Sequence, residues 1–96
     1  YLPATQEKRR RALEALLLED RTVVLFETPH RVRAALSAMV EVFPERPLAV
    51  LREMTKLHEE RVVGTAAEVL ARLADPVRGE IVIVLAPRGR RGEWTQ

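Results

Sequence analysis

The chain has 96 residues, 47% of them hydrophobic and 31% charged, with 4 glycines, 6 prolines and no cysteine. That is enough for one small domain around a single core; it excludes disordered and collagen-like chains, and without cysteine neither a disulfide framework nor a thiolate metal site can form, which fits a cytosolic protein. Lysine and arginine number 16 against 14 aspartates and glutamates, a net charge of +2 that is too small to announce a nucleic-acid binder by itself, and no apolar run approaches the roughly 18 residues that cross a bilayer.

The chain opens on Tyr1, as expected of a piece of a longer protein. Thr5 then precedes Leu13, Leu16 and Leu17 at helical spacing, which predicts a capped helix over 6–18. Lys8, Arg9, Arg10 and Arg11 fall in its first turns, where positive charge opposes the helix dipole at a cost of about a few tenths of a kcal/mol per group. That placement points to a partner for the cations, with solubility as the plain alternative.

A β-branched run predicts a first strand over 22–26, ending at Thr28-Pro29, where proline suits the first position of a helix. From Pro29 the positions Val32, Ala35, Leu36, Met39, Val40 and Phe43 keep a 3.6-residue period until Pro44 stops it. Strands are expected over 48–51, after Pro47, and over 60–63, closed by Gly64, with an almost wholly polar stretch over 52–59 between them. Thr65 and Glu68 form a capping box for a third helix, whose Val69, Leu70 and Leu73 face inward until Asp75-Pro76. The unbroken apolar run Ile81–Leu85 reads as a strand buried on both faces, and Phe26 and Phe43 as core. The order α, β, α, β, β, α, β predicts an α/β fold, a mixed four- to five-stranded sheet covered by three helices. The domain is expected to span 1–87, followed over 88–96 by a mobile basic tail that carries Arg88, Arg90 and Arg91.

Two segments hold the chemistry. Glu27-Thr28-Pro29-His30-Arg31 sits where a strand hands over to a helix, the place where open α/β sheets gather ligand-binding groups, although Thr28 and Pro29 also serve simply to start a helix. The second segment runs Arg52-Glu53-Met54-Thr55-Lys56-Leu57-His58-Glu59-Glu60. It reads either as a solvated loop or as a charged rim, in which Arg52-Glu53 pairs with His30-Arg31 across neighbouring strand ends. Nothing favours a metal site: His30 and His58 are the two histidines, and they lack zinc-protease spacing. The one serine, Ser37, lies mid-helix and supports no nucleophilic triad.

Leu25-Phe26-Glu27-Thr28-Pro29-His30-Arg31, Arg52-Glu53-Met54-Thr55-Lys56 with Glu59-Glu60, Gly64-Thr65 and Val77-Arg78-Gly79-Glu80 resemble, in order and spacing, the C-terminal half of the ribosomal RNA small subunit methyltransferase I family. That family lies within the tetrapyrrole methylase-like superfamily of class III S-adenosylmethionine-dependent methyltransferases. Tyr1-Leu2-Pro3 is similar to the end of its Gly-Phe-Leu-Pro segment, while Thr28 replaces a usual serine and Met54 a usual leucine. The resemblance implies the C-terminal domain of a cytoplasmic, homodimeric enzyme that 2′-O-methylates a cytidine ribose in small-subunit ribosomal RNA. Its S-adenosylmethionine would lie in a cleft completed by an N-terminal domain, so that this stretch alone would be inactive. Carried over residue by residue, Glu27, Met54 and Ala86 would line the cofactor. Glu53, Lys56 and Glu59 are candidates for removing the hydroxyl proton, and His30 is the group whose ordinary pKa lies nearest neutrality. Lys8, Arg9, Arg10, Arg11, His30, Arg31 and Arg52 would hold the RNA. The rivals are a methylase of porphyrin or corrin precursors and a non-catalytic RNA-binding module.

Overall fold

The computed structural model describes residues 1–52, 60–73 and 79–89. Seven elements follow in the expected order: α1 (Gln6–Glu14), β1 (Val23–Glu27), α2 (Val32–Val42), β2 (Leu48–Arg52), β3 (Glu60–Gly64), α3 (Ala66–Arg72) and β4 (Ile81–Leu85). The Thr5 hydroxyl caps α1 by accepting from the Lys8 amide, and Thr65 and Glu68 form the expected reciprocal box at the start of α3.

Two helix boundaries differ from expectation. α1 ends at Glu14, four residues early, because the amides of Leu16 and Leu17 turn back to the carbonyls of Leu13 and Glu14 in tighter, three-residue turns. α2 begins at Val32, not Pro29. The amides of Arg31 and Val32 share the Thr28 carbonyl, both at 3.0 Å, so that 29–31 forms a turn ahead of the regular helix, and no side chain caps it.

The four strands form one sheet in the order β1-β4-β2-β3. Every neighbouring pair is antiparallel, so the expected mixed sheet is corrected to an antiparallel one. The reason lies in the crossovers. β1-α2-β2 and β3-α3-β4 each connect parallel strands that leave a gap one strand wide, and the gaps are filled by β4 and β2 respectively.

Val32, Ala35, Leu36 and Met39 of α2 join Leu13 of α1 and Ala66 and Val69 of α3 over Leu48, Val50, Ile81, Ile83 and Leu85, forming a single core. All three helices therefore lie on one face of the sheet. Strand alternation sends Val24, Phe26, Val82 and Val84 to the other face. This corrects two expectations: Val82 and Val84 are half-buried while Ile81, Ile83 and Leu85 are buried, and Phe26 is 54% exposed whereas Phe43 is core at 5%.

The end of the sheet where β4 stops is fastened by a buried cation. Arg46 donates through Nε to the Ala86 carbonyl at 2.8 Å and through its terminal nitrogens to the carbonyls of Leu16 (2.7 Å) and Glu19 (3.0 Å), with its guanidinium 5.3 Å from the centre of the Phe43 ring. Arg88, expected in a loose tail, is tied to the domain: its amide donates to the Glu19 carbonyl and its side chain pairs with Asp20. The rest of that tail, 90–96, lies outside the described residues.

Candidate functional site

β1 and β2 run in the same direction on either side of β4 and end together: Glu27 and Arg52 are both paired with Ile81. Arg52 is in turn opposite Glu60. A cross-strand row of Glu27, Ile81, Arg52 and Glu60 thus forms one end of the sheet on the face that carries the helices. Glu27 is 5% exposed, and its carboxylate accepts from the Thr28 amide at 3.0 Å, holding the chain as it leaves β1. Thr28 then accepts the two amides that open α2, so His30 and Arg31 are carried on a short, hydrogen-bonded turn, the first exposed and the second half-buried.

Arg52 Nε pairs with the Glu60 carboxylate, an arrangement in which the arginine side chain is 16% exposed. The expected pairing of Arg52-Glu53 with His30-Arg31 involves Glu53, which lies outside the described residues. The register places Arg52 and Glu60 at the two mouths of the β2–β3 connection, and cross-strand opposite charges attract at close range. Glu53, Met54, Lys56 and Glu59, the residues on which the chemistry was expected, lie outside the described residues.

Ala86 is not brought to this end. It follows β4 at the opposite end of the sheet, its amide donating to the Pro47 carbonyl at 3.0 Å and its carbonyl accepting from Arg46. The basic run of α1 is likewise divided. Arg9 is buried and donates to the Ala4 carbonyl at 2.8 Å. Arg11 pairs with Glu7 at 2.7 Å, and Arg10 lies 3.4 Å from Glu14 and 3.8 Å from Glu41. Lys8 is exposed. A groove of about 560 Å³ between α1 and α2 passes Arg10, Ser37 and Glu41 and contains none of Glu27, Arg31 or Arg52.

The described residues therefore offer a rigid, charged strand end with both signs present. Such a wall can hold a polar ligand edge or an anion against the turn that opens α2.

Comparison with known proteins places the sequence in a family. The family model for tetrapyrrole (corrin/porphyrin) methylases matches residues 1–70. A protein of Coprothermobacter proteolyticus named ribosomal RNA small subunit methyltransferase I is 45% identical over 87 residues, which cover 91% of this chain and 38% of that protein. Proteins of the same name from Bacillus subtilis and Neisseria meningitidis serogroup A are 38% and 41% identical, over 88% and 91% of this chain and 30% and 31% of their own lengths. The chain spans about a third of the length of these relatives. With the family model covering well over half of its residues, the chain belongs to the tetrapyrrole methylase family.

Proposed function

We propose that this chain forms the C-terminal domain, over 1–87, of a cytoplasmic S-adenosylmethionine-dependent methyltransferase that acts on small-subunit ribosomal RNA and, more finely, on the 2′-hydroxyl of a cytidine ribose. The observation that carries the reading is the termination of β1 and β2 at one end of the sheet, at Glu27 and Arg52 on either side of Ile81, which supplies one wall of a cleft; the names of the relatives support the RNA substrate.

The cofactor fits this end of the sheet better than the other. Glu27 and Arg52 end their strands level with each other, flanking Ile81, whereas the backbone of Ala86 is already engaged by Pro47 and Arg46. The backbone at Glu27, with Met54 beyond the end of β2, would therefore hold it, opposite a wall contributed by an N-terminal domain. S-adenosylmethionine supplies a methyl group on a sulfonium, already activated for transfer. What remains for the protein is to align the incoming oxygen and to exclude water. The Glu27–Thr28 bond and the Arg52–Glu60 pair fix the wall before substrate arrives. Removal of the hydroxyl proton falls to Glu53, Lys56 or Glu59, with exposed His30 alongside. Arg31 and Lys8 meet backbone phosphates; Arg9, buried and donating to the Ala4 carbonyl, is less available to them.

The test uses the protein with the polypeptide preceding Tyr1 included, methyl-labelled S-adenosylmethionine, and either 30S subunits or a uroporphyrinogen-type tetrapyrrole. The expected result is label in the RNA that survives alkaline hydrolysis within a dinucleotide, since a methylated 2′-oxygen cannot attack its phosphate. Label in the tetrapyrrole, or in RNA as an ordinary alkali-released mononucleotide, overturns the substrate or the position. The family's own description favours the tetrapyrrole as the second reading, which the same assay decides.

A further inference from the structure

Among the described residues, the face of the sheet opposite the helices is apolar from β1 across to β2. Val24 and Phe26 of β1 are 53% and 54% exposed, Val82 and Val84 of β4 and Leu51 and Val63 of β2 and β3 are half-buried, and Ala49 lies among them. Arg61, at the far edge on β3, is the charged side chain that the strand registers place on this face. An apolar surface shared by all four strands of an antiparallel sheet is uncommon on a free-standing domain, where the solvent face is normally polar.

We propose that this face is the docking surface for the polypeptide that precedes Tyr1, and not for a second copy of the chain. Two observations select the occupant. Tyr1 lies against the open face, its ring 6.5 Å from that of Phe26, so any residue joined ahead of it starts beside the apolar surface. The relatives carry about two thirds of their length outside the matched stretch, enough polypeptide for a further domain joined to this one. Size argues in the same direction. Four strands of five residues make a face of roughly 15 by 17 Å at ordinary strand spacings. That is well short of the about 800 Å² per partner that a stable complex of free chains buries. A covalently joined segment needs no such area, because the tether supplies a high effective concentration. The inference rests on the fold and on the family and is independent of the methyl-transfer chemistry.

Thiol accessibility tests it. In the protein with its preceding polypeptide, and with any native cysteine outside this stretch replaced by serine, Val84→Cys and Val24→Cys are compared with Leu18→Cys, which is 74% exposed beyond α1. A maleimide should modify Cys at positions 84 and 24 roughly tenfold or more slowly than at 18, as for groups reached only through opening. The protection should persist when the protein is diluted to a monomer verified by sedimentation. Equal rates at all three positions overturn the proposal. Protection that disappears as an oligomer dissociates also overturns it and assigns the face to a second copy.

Discussion

Arg46 shows how much a single side chain holds. Its guanidinium satisfies carbonyls of Leu16, Glu19 and Ala86, which come from the turn after α1 and from the end of β4. Burial lowers its pKa from the ordinary arginine value, Glu19 and Asp20 raise it and nearby Arg88 lowers it further, yet an arginine stays charged at neutral pH. Arg46→Met is expected to destabilise the fold by about 3 kcal/mol in denaturant unfolding, because three acceptors lose a charged donor together. Arg46→Lys should recover only part of this, since a point charge cannot serve three divergent carbonyls as a planar fork does. The sequence displays little of this: an arginine between two prolines reads as loop surface, and its partners lie 27 to 40 positions away. Arg9 was more legible than its run suggested. It stands four residues before Leu13 and seven before Leu16, on the face that packs inward, and the structure buries it there while Glu7–Arg11 and Arg10–Glu14 pair along the helix.

At the scale of elements, the start of α3 was fully legible because a capping box is a local object. The Glu68 carboxylate accepts from the Thr65 amide at 2.9 Å, and this backbone bond, opposed by slight desolvation and helped by the Thr65 hydroxyl and Arg72, lowers its pKa from 4.5. A depressed carboxylate stabilises the fold above its unfolded pKa and loses that contribution as the pH falls through the folded value. The melting temperature of the unaltered chain should therefore exceed that of Glu68→Gln near neutrality, and the two should converge below about pH 4. Gly64 is bound to the same box. It has a positive φ of 157°, and a Cβ there would stand 2.7 Å from Glu68 Oε1. Gly64→Ala should cost about 1 to 3 kcal/mol in chemical unfolding, through backbone strain and displacement of the capping carboxylate. Elements set by distant contacts were read less well. The period of α2 located its buried face but not its first turn, and the alternation of β1 showed that Phe26 and Leu25 point opposite ways without showing which side the helices occupy.

Strand order governs the whole molecule, and no local signal carries it. β4, the last of the described strands, lies inside the sheet, and among the described residues it is the one pairing partner of β1, Val23 being matched with Leu85 across most of the sequence. The sheet therefore closes only when the final strand arrives, and contacts of such long range slow folding. Consequences differ sharply between the two faces of the strands concerned. Ile83 is fully buried, paired with Leu25 on one side and Val50 on the other, beneath the helices. Its replacement by alanine leaves a cavity at the centre of the core beneath the helices, and the expected loss is about 3 to 4 kcal/mol, a large part of what a domain of this size has to spare. Val24 lies on an edge strand, already half in solvent, and within this 96-residue chain Val24→Ala should cost below about 1 kcal/mol. Urea titrations of both variants decide the matter: two similar losses would mean that the helix-free face is as firmly packed as the other, contradicting the one-sided architecture on which the position of the Glu27–Arg52 strand end depends.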